Sequence, residues 1–320
     1  METFIREGMI FALPLFIMAI GGIYSERSGI TNLALEGLQG VGAFGGAFLA
    51  VVMNQIWGVD NPQVVYYLSL VFAVVFGALF SLIHGLLCIK FKANQVISGV
   101  VINILAMALT AFLTKQLNST LFHAPSDKFI LSVSSRFSVP VLSKIPVIGW
   151  FFNNLYPFEV IILVAALILW YLLYKTSFGL RLRGCGENPH AVDAAGVNVN
   201  RVRLLAVLIS GGLSGLAGIS LAYSISANFS SSIYAGYGYL AIAALIFGNW
   251  QIVPTLFACL IFGFARSGGY QVVQLLELPS AYADIILILP YVTTLVLLLF
   301  FSKKSHAPAA LGEIYDKSKR

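Results

Sequence analysis

The residues of this chain that could bind a ligand are polar groups inside otherwise apolar segments. Glu36 is the strongest candidate among them, because a carboxylate within an apolar span needs a partner or a water-filled path. Other amide and hydroxyl groups in the apolar segments could hydrogen-bond a neutral polar ligand or a neighbouring helix, and the sequence leaves both roles open. These groups are Asn32, Asn94, Ser98 and Asn103.

A second polar group combines a serine with aromatic rings. Its members are Ser230, Tyr234, Tyr237 and Tyr239. The tyrosines could stack on a flat ring or form an aromatic belt at the membrane surface. The sequence has no GxxxxGK[ST] phosphate loop, no nucleophile elbow and no HExxH motif, and its cysteines and histidines have no metal-ligand spacing. We therefore expect binding rather than catalysis, and no metal.

Asn32 and Glu36 of the first group, and all of the second group, fall in two comparable interruptions of the apolar pattern. The first interruption is SERSGITNLALEG at 25–37, and the second is SANFSSSIYAGYGYLAIA at 226–243. Irregular backbone at membrane depth is tolerated where it lines a cavity or is buried in protein, and paired interruptions in two halves of a transporter mark its substrate path. The pattern predicts such a path; the alternative is two ordinary turns at the membrane surface.

The elements that position these groups are membrane helices. The chain is 59% hydrophobic and 10% charged, whereas soluble domains carry about 25% charged residues. Apolar runs near the ~20 residues that cross a bilayer recur throughout. We predict an all-α polytopic bundle of about nine spans in two related halves with interrupted helices. The predicted apolar segments are Phe4–Tyr24, Ile30–Met53, Val64–Ile89, Ala93–Thr114, Phe158–Tyr174, Leu204–Tyr223, Tyr239–Phe247, Ile252–Ala265 and Pro279–Phe301.

The positive charges indicate an orientation. The formal charge of +6 sits mainly in short gaps between apolar runs, which argues against nucleic acid as a partner. The loop 175–203 is the most basic of these gaps, so we place it in the cytoplasm. The alternation of spans then places the segment 116–157 and the N-terminus outside, and the solvated tail 303–320 inside.

A short helix is predicted within the loop 175–203. Asn188 suits the N-cap, Pro189 the first helical position, and Gly196 a left-handed stop. About two turns are too short to be stable alone in water. Ala191, Ala194 and Ala195 leave one flank small and smooth, which fits either a docking surface or a simple connector.

Several of these stretches resemble the permease subunits of bacterial ABC importers for nucleosides and simple sugars, in the branch that includes ribose and branched-chain amino acid permeases. They are SERSGITNLALEGLQGVGAFGGAF, ANQVISGVVINILA, GCGENPHAVDAAGVNVNRVR and SGGLSGLAG. Their order is most similar to the second of two paired nucleoside permeases. The resemblance implies one transmembrane permease domain over 1–320, with 175–203 as the coupling loop.

The resemblance also implies partners. These are a second permease in a heterodimer, two subunits that bind ATP and Mg, and an extracytoplasmic substrate-binding lipoprotein; no cofactor is expected on this chain. Coupling to the ATP-binding subunits would fall on the segment around the short helix, at Glu187, Asn188, Pro189, Ala191, Ala194, Ala195 and Gly196. A simple-sugar importer, a stand-alone secondary transporter and a structural assembly subunit are the alternatives.

Overall fold

The protein is an all-helical membrane bundle. A computed structural model describes residues 1–132, 136–140, 148–277, 288–292 and 306–317, with the single residues 143, 145 and 296. In this part, the helices are α1 (Glu2–Arg27), α2 (Leu35–Gln55), α3 (Pro62–Ile89), α4 (Gln95–Leu121), α5 (Pro157–Lys175), α6 (Ser177–Glu187), α7 (Pro189–Ala194), α8 (Val199–Leu221), α9 (Tyr237–Phe247) and α10 (Ile252–Leu275).

The length of these helices confirms the predicted polytopic helical class. Seven helices of the described part are long and apolar enough to cross a membrane, and α9 is a shorter apolar helix. The predicted last span, Pro279–Phe301, lies mostly outside the described residues. A 3-10 turn (Ile148–Phe151) and a π turn (Ala222–Ser226) accompany two short antiparallel strands, β1 (Phe129–Ile130) and β2 (Asn228–Phe229).

Asparagine begins several of the helices. The side-chain oxygens of Asn61, Asn94, Asn188 and Asn198 each accept a backbone N–H from the first turn of α3, α4, α7 and α8. The first N–H groups of a helix have no partner within it, and a capping side chain supplies one. These caps explain why each helix begins where it does.

Three helices form the centre of the bundle. In the most apolar windows of α1, α2 and α8, 89%, 78% and 72% of the residues are buried, against 28% for α4. Glycine permits the tightest contacts there: Gly42 of α2 and Gly77 of α3 both lie against Gly215 of α8. The helices with exposed apolar faces surround this centre.

Four predicted boundaries differ from the helices by five residues or more. The fourth segment does not end at Thr114, because α4 continues to Leu121, and the sixth does not begin at Leu204, because α8 begins at Val199. The second span does not begin at Ile30, because residues 28–34 are non-helical and α2 begins at Leu35. The eighth apolar segment does not end at Ala265, because α10 continues to Leu275. The hydropathy falls at Arg266, but the buried arginine finds partners inside the bundle, so the helix continues.

The coupling loop and the C-terminal tail also differ from the sequence-based expectation. An additional helix, α6, precedes the predicted short helix. The tail, predicted to be solvated, packs against this end of the bundle over its described residues 306–317. Ala310 is buried and its N–H donates to Gly186 O at 2.8 Å, while Gly312 N donates to Gly29 O at 3.1 Å.

Candidate functional site

The two interrupted segments meet at Glu36. Its carboxylate accepts a hydrogen bond from Gly236 N at 2.9 Å and a second from the Gly238 N–H. Both N–H groups belong to the start of α9, where a negative charge is favoured by the helix dipole. Gly238 lies against the Glu36 backbone so closely that a Cβ atom would overlap it. The carboxylate therefore joins the first turn of α2 to the first turn of α9.

Asn103 holds the first interruption from the side of α4. Its Nδ2 donates to Leu33 O at 2.8 Å, and its Oδ1 accepts from Gly37 N at 2.8 Å. The same Nδ2 lies 3.4 Å from the hydroxyl of Tyr239. One amide thus satisfies backbone groups on both sides of the start of α2 and also reaches α9, as polar side chains between membrane helices do.

Asn32 and Ser98 hold the same segment from other helices. The buried Asn32 donates to Ser210 Oγ of α8 at 2.8 Å and accepts from Ala34 N at 3.1 Å. Ser98 Oγ lies 3.0 Å from His84 Nδ1, whose Nε2 is 3.1 Å from Thr31 O. The irregular backbone of residues 28–34 is therefore held by α3, α4 and α8 together.

Asn94 and Ser230 make local contacts. Asn94 is exposed and caps α4 by accepting from Val96 N and Ile97 N. Ser230 is half-buried, and its Oγ lies 3.4 Å from Ser232 Oγ. The structure does not join either side chain to Glu36 through these contacts, and their part in a path remains a prediction.

Two of the three predicted tyrosines lie inside the bundle, although an interfacial belt would expose their rings. Tyr234 is stacked on Phe229 with centroids 6.1 Å apart, and its hydroxyl is 3.2 Å from Thr110 Oγ1. Tyr237 accepts a hydrogen bond from Arg266. Tyr239 is 47% exposed. The second interruption therefore presents one accessible ring and two buried ones.

Sequence reasoning missed Gln39 and Arg266. Gln39 lies one turn after Glu36 on α2, fully buried, and neither polar atom of its amide has a hydrogen-bond partner among the described residues. The sequence contained a signal for Gln39, because residues three apart share a helix face and Gln39 lies three residues after Glu36. Arg266 was not considered as a site residue because the predicted segment Ile252–Ala265 ended one residue before it.

Two cavities in the described part of the chain are lined by residues that the sequence analysis or the fold has singled out. A cavity of about 590 Å³ lies between α1 and α10, beside Arg136 and Asn154 of the segment 116–157, and we call it the α1–α10 cavity. A second cavity, of about 310 Å³, lies between the coupling loop and the tail and is lined by Asp193, Gly196 and Tyr315 among others. In the part of the chain that the structure describes, no group of three potential metal ligands comes together.

The coupling loop contains the predicted cap, helix and stop. Asn188 Oδ1 accepts from Ala191 N at 3.0 Å, α7 follows, and Gly196 has a φ of +80°. Ala191, Ala194, Ala195 and Gly196 are exposed, whereas Pro189 is buried. Glu187 is exposed and pairs with Arg27 at 3.8 Å. The small-residue flank of α7 is therefore accessible to solvent.

The joint at Glu36 leads to a testable prediction. We expect Glu36→Ala to destabilise the protein by ~1–2 kcal/mol, as loss of a helix cap does, whereas Glu36→Gln keeps an oxygen for Gly236 N–H and loses less. Thermal unfolding in detergent measures both. Asp60→Ala, which removes an exposed carboxylate, is the control and should not change the midpoint. Equal midpoints for Glu36→Ala and the wild type would contradict the capping role.

Comparisons with known proteins give the relatives of this chain. It is 40% identical to the guanosine ABC transporter permease protein NupQ of Bacillus subtilis, over 98% of this chain and 96% of that protein. It is 38% identical to the nucleoside ABC transporter permease protein NupC of Lactococcus lactis, over 100% of this chain and 98% of that protein. A third relative, at 25% identity over 95% of this chain and 82% of its own length, is the guanosine ABC transporter permease protein NupP of Bacillus subtilis.

The family model described as "branched-chain amino acid transport system / permease component" matches residues 4–298. This match covers nearly all the membrane helices, including both interrupted segments and the coupling loop. The chain therefore belongs to this family of multi-pass membrane permeases.

Proposed function

We propose that this chain is a permease subunit of an ATP-driven importer and forms part of the path by which nucleosides enter the cell. The observation that carries the proposal is the joint at Glu36, where two interrupted segments distant in sequence share a carboxylate in the bundle. The names of the relatives at 40% and 38% identity support the substrate class.

The joint provides a reason for movement by alternating access. α2 and α9 both begin within the bundle, so each can rotate about its interrupted segment without breaking a continuous helix. Asn103 and Tyr239 are hydrogen-bonded between α4 and α9, Glu36 joins α2 to the start of α9, and Gln39 adds an unsatisfied buried amide. Such groups suit a neutral ligand with many donors and acceptors. Tyr234 and Tyr237 support the same segment from within.

The proposed assembly contains a second permease, two ATP-binding subunits and an extracytoplasmic lipoprotein that delivers the nucleoside. The match to two permeases of Bacillus subtilis, both named for guanosine, supports the pairing. ATP and Mg would be bound by the ATP-binding subunits. The coupling loop and the tail would face the cytoplasm, and the N-terminus would face outward.

The function is tested by reconstitution. The chain, co-expressed with a second permease, ATP-binding subunits and a binding lipoprotein, should accumulate labelled nucleoside in proteoliposomes only when ATP is supplied. Uptake of free ribose or glucose in preference to nucleosides would favour the sugar importer. Accumulation by the purified chain alone without ATP would favour a secondary transporter. No uptake in any of these conditions would leave only an assembly role.

The exposed flank of α7 gives a second prediction. Ala194→Trp should reduce uptake about tenfold while ATP hydrolysis by the assembly continues, because a bulky ring on this flank interrupts coupling between subunits. Ser177→Trp is the matched control, since Ser177 is also small and exposed but lies on α6. Uptake and hydrolysis are measured together in proteoliposomes. Coupled uptake unchanged in Ala194→Trp would contradict docking at α7.

A further inference from the structure

The α1–α10 cavity lies outside the joint at Glu36 but is linked to it. Its volume of about 590 Å³ falls within the ~300–1,000 Å³ typical of small-molecule sites. Arg266 of α10 lines it, and the same guanidinium donates to the hydroxyl of Tyr237, the first residue of α9. The cavity and the second interruption therefore share one hydrogen bond.

Arg266 occupies an unusual position for a cation. It lies within a membrane-length helix and is 9% exposed. Its guanidinium carbon is 4.4 Å from the ring centroid of Phe11 and 5.6 Å from that of Tyr270. The ion pairs of the described residues do not include it. Aromatic faces stabilise the charge in part, but a buried cation inside a membrane helix marks a functional group.

Arg6, a second arginine that lines the cavity, has a hydrogen-bond donor without an acceptor among the described residues. Arg6 is 8% exposed, and its Nη1 lies 3.7 Å from Glu159 Oε1. Its Nη2 is buried and has no hydrogen-bond partner among the described residues. Leaving a buried charged donor unpaired costs free energy, so the Arg6 side chain, which lines the cavity, would gain by turning this donor towards an acceptor there.

The charged groups of the cavity define the ligand. Three arginines, which only donate hydrogen bonds, and two glutamates, Glu2 and Glu7, which only accept them, line the same space. The nearly balanced charge disfavours a phosphate and fits a neutral molecule with both donors and acceptors. Phe11 and Tyr270 add aromatic surface, which favours a flat ring.

A 6-oxopurine has this combination on its edges. Its O6 and N7 are adjacent acceptors that match the fork of a guanidinium, and its N1–H is a donor for a carboxylate. Adenine places an amino group at C6, which would oppose the arginine donors. We propose that the α1–α10 cavity binds 6-oxopurine nucleosides and that Arg266 selects the oxygen at C6. This inference rests on the proposed function and specifies its substrate class.

Inosine and adenosine test the proposal because they differ only in the group at purine position 6 and in the hydrogen on the adjacent N1. In the complete assembly, Arg266→Lys keeps the charge but loses the fork. We expect the KM for inosine to rise about tenfold, equivalent to ~1.4 kcal/mol, with a much smaller change for adenosine. An equal change for both nucleosides, in a variant assembled to the wild-type level, would overturn the proposal.

Cysteine labelling gives a second measurement that leaves Arg266 intact. Cys88, Cys185 and Cys259 are buried, so a polar maleimide should react mainly with an introduced thiol. Gln274→Cys places that thiol at the cavity, and Glu277→Cys places it three residues further on, outside the lining. Inosine should slow labelling of Gln274→Cys more than adenosine does, and should leave Glu277→Cys unaffected.

The outcomes separate this site from the proposed function. Protection by inosine monophosphate but not by inosine, or equal protection by both nucleosides, would overturn the 6-oxopurine site. Absence of ATP-dependent nucleoside uptake by the wild-type assembly would overturn the function itself. Normal uptake without any protection at Gln274→Cys would overturn the site alone.

Discussion

Gly215→Ala should destabilise the protein by ~3 kcal/mol or more, because the added methyl group has no space at the centre of the bundle. A Cβ at Gly215 would overlap the carbonyl oxygen of Ala73 on α3, and it would lie 3.3 Å from the Cα of Gly42 on α2. Both neighbours are backbone atoms, so relief requires the helices to separate. Thermal unfolding of the purified chain in detergent measures the loss.

Gly268→Ala is the matched control for this substitution. It makes the same chemical change in a helix, but the nearest heavy atom to its Cβ would be Phe4 Cε2 at 3.4 Å, an ordinary contact. Alanine is preferred to glycine in a helix by up to ~1 kcal/mol, so this variant should be as stable as the wild type or slightly more. Equal losses in the two variants would show that close packing of α2, α3 and α8 is not what requires glycine.

Arg203→Ala should lower stability by ~3–5 kcal/mol, because it leaves several buried carbonyl groups without a donor. Arg203 is 2% exposed. Its Nε donates to Ser28 O at 3.0 Å, Nη1 to Glu313 O at 3.1 Å and Nη2 to Cys185 O at 3.3 Å. These acceptors belong to the first interruption, the tail and α6. Loss of the guanidinium therefore loosens three segments at once.

The expected change is a fall of roughly 10 °C in the unfolding midpoint. Arg203→Lys keeps the charge but cannot reach three carbonyls in one plane, so its midpoint should lie between those of Arg203→Ala and the wild type. Arg201→Ala removes an exposed arginine from the same helix turn and should have almost no effect. A midpoint of Arg203→Ala equal to that of Arg201→Ala would contradict the structural role.

The contacts of Arg203 also bear on coupling. α6 leads directly into α7, and the tail reaches the coupling loop again through Lys317 and Asp193, 3.9 Å apart. Ser28 lies within the first interruption, which also contains Glu36. A displacement of α7 would thus be transmitted to the first interruption through one arginine. We accordingly expect Arg203→Lys, if it assembles, to hydrolyse ATP with reduced uptake.

Cys185 illustrates how this region is protected from water. It lies fully buried on α6, and burial raises the pKa of its thiol to about 11. The thiol is therefore neutral at physiological pH. The Arg203 guanidinium opposes this rise but does not cancel it, so desolvation dominates over the nearby charge.

Much of the fold could be read from local patterns. Apolar runs of bilayer length predicted the long helices, since backbone polar groups must be satisfied within the segment at membrane depth. Asn188, Pro189 and Gly196 predicted the short helix, because a cap, a fixed φ and a left-handed stop act on neighbouring residues only. The paired interruptions were also visible, as places where small and polar residues replace the apolar run.

The partners of the polar groups could not be predicted in this way. Nothing near Glu36 in the sequence indicates Gly236, 200 residues away. Arg266 ended the predicted segment because hydropathy counts a charge as a break, whereas the folded chain surrounds that charge with Phe11, Tyr237 and Tyr270. The sequence indicated a solvated tail because its charged residues are close to no partners along the chain. Only in the folded protein does Asp316 pair with Lys92 and Lys317 with Asp193.

By itself, the sequence determined that this is a membrane protein, where most of its long helices lie and where the apolar pattern is interrupted, because those properties depend on residues within a few turns of each other. Only the tertiary structure decided that the two interruptions share a carboxylate, that a buried arginine lines a cavity, and that the tail packs on the coupling loop. These features depend on pairs of residues brought together by packing, and the pairing is not encoded in local spacing.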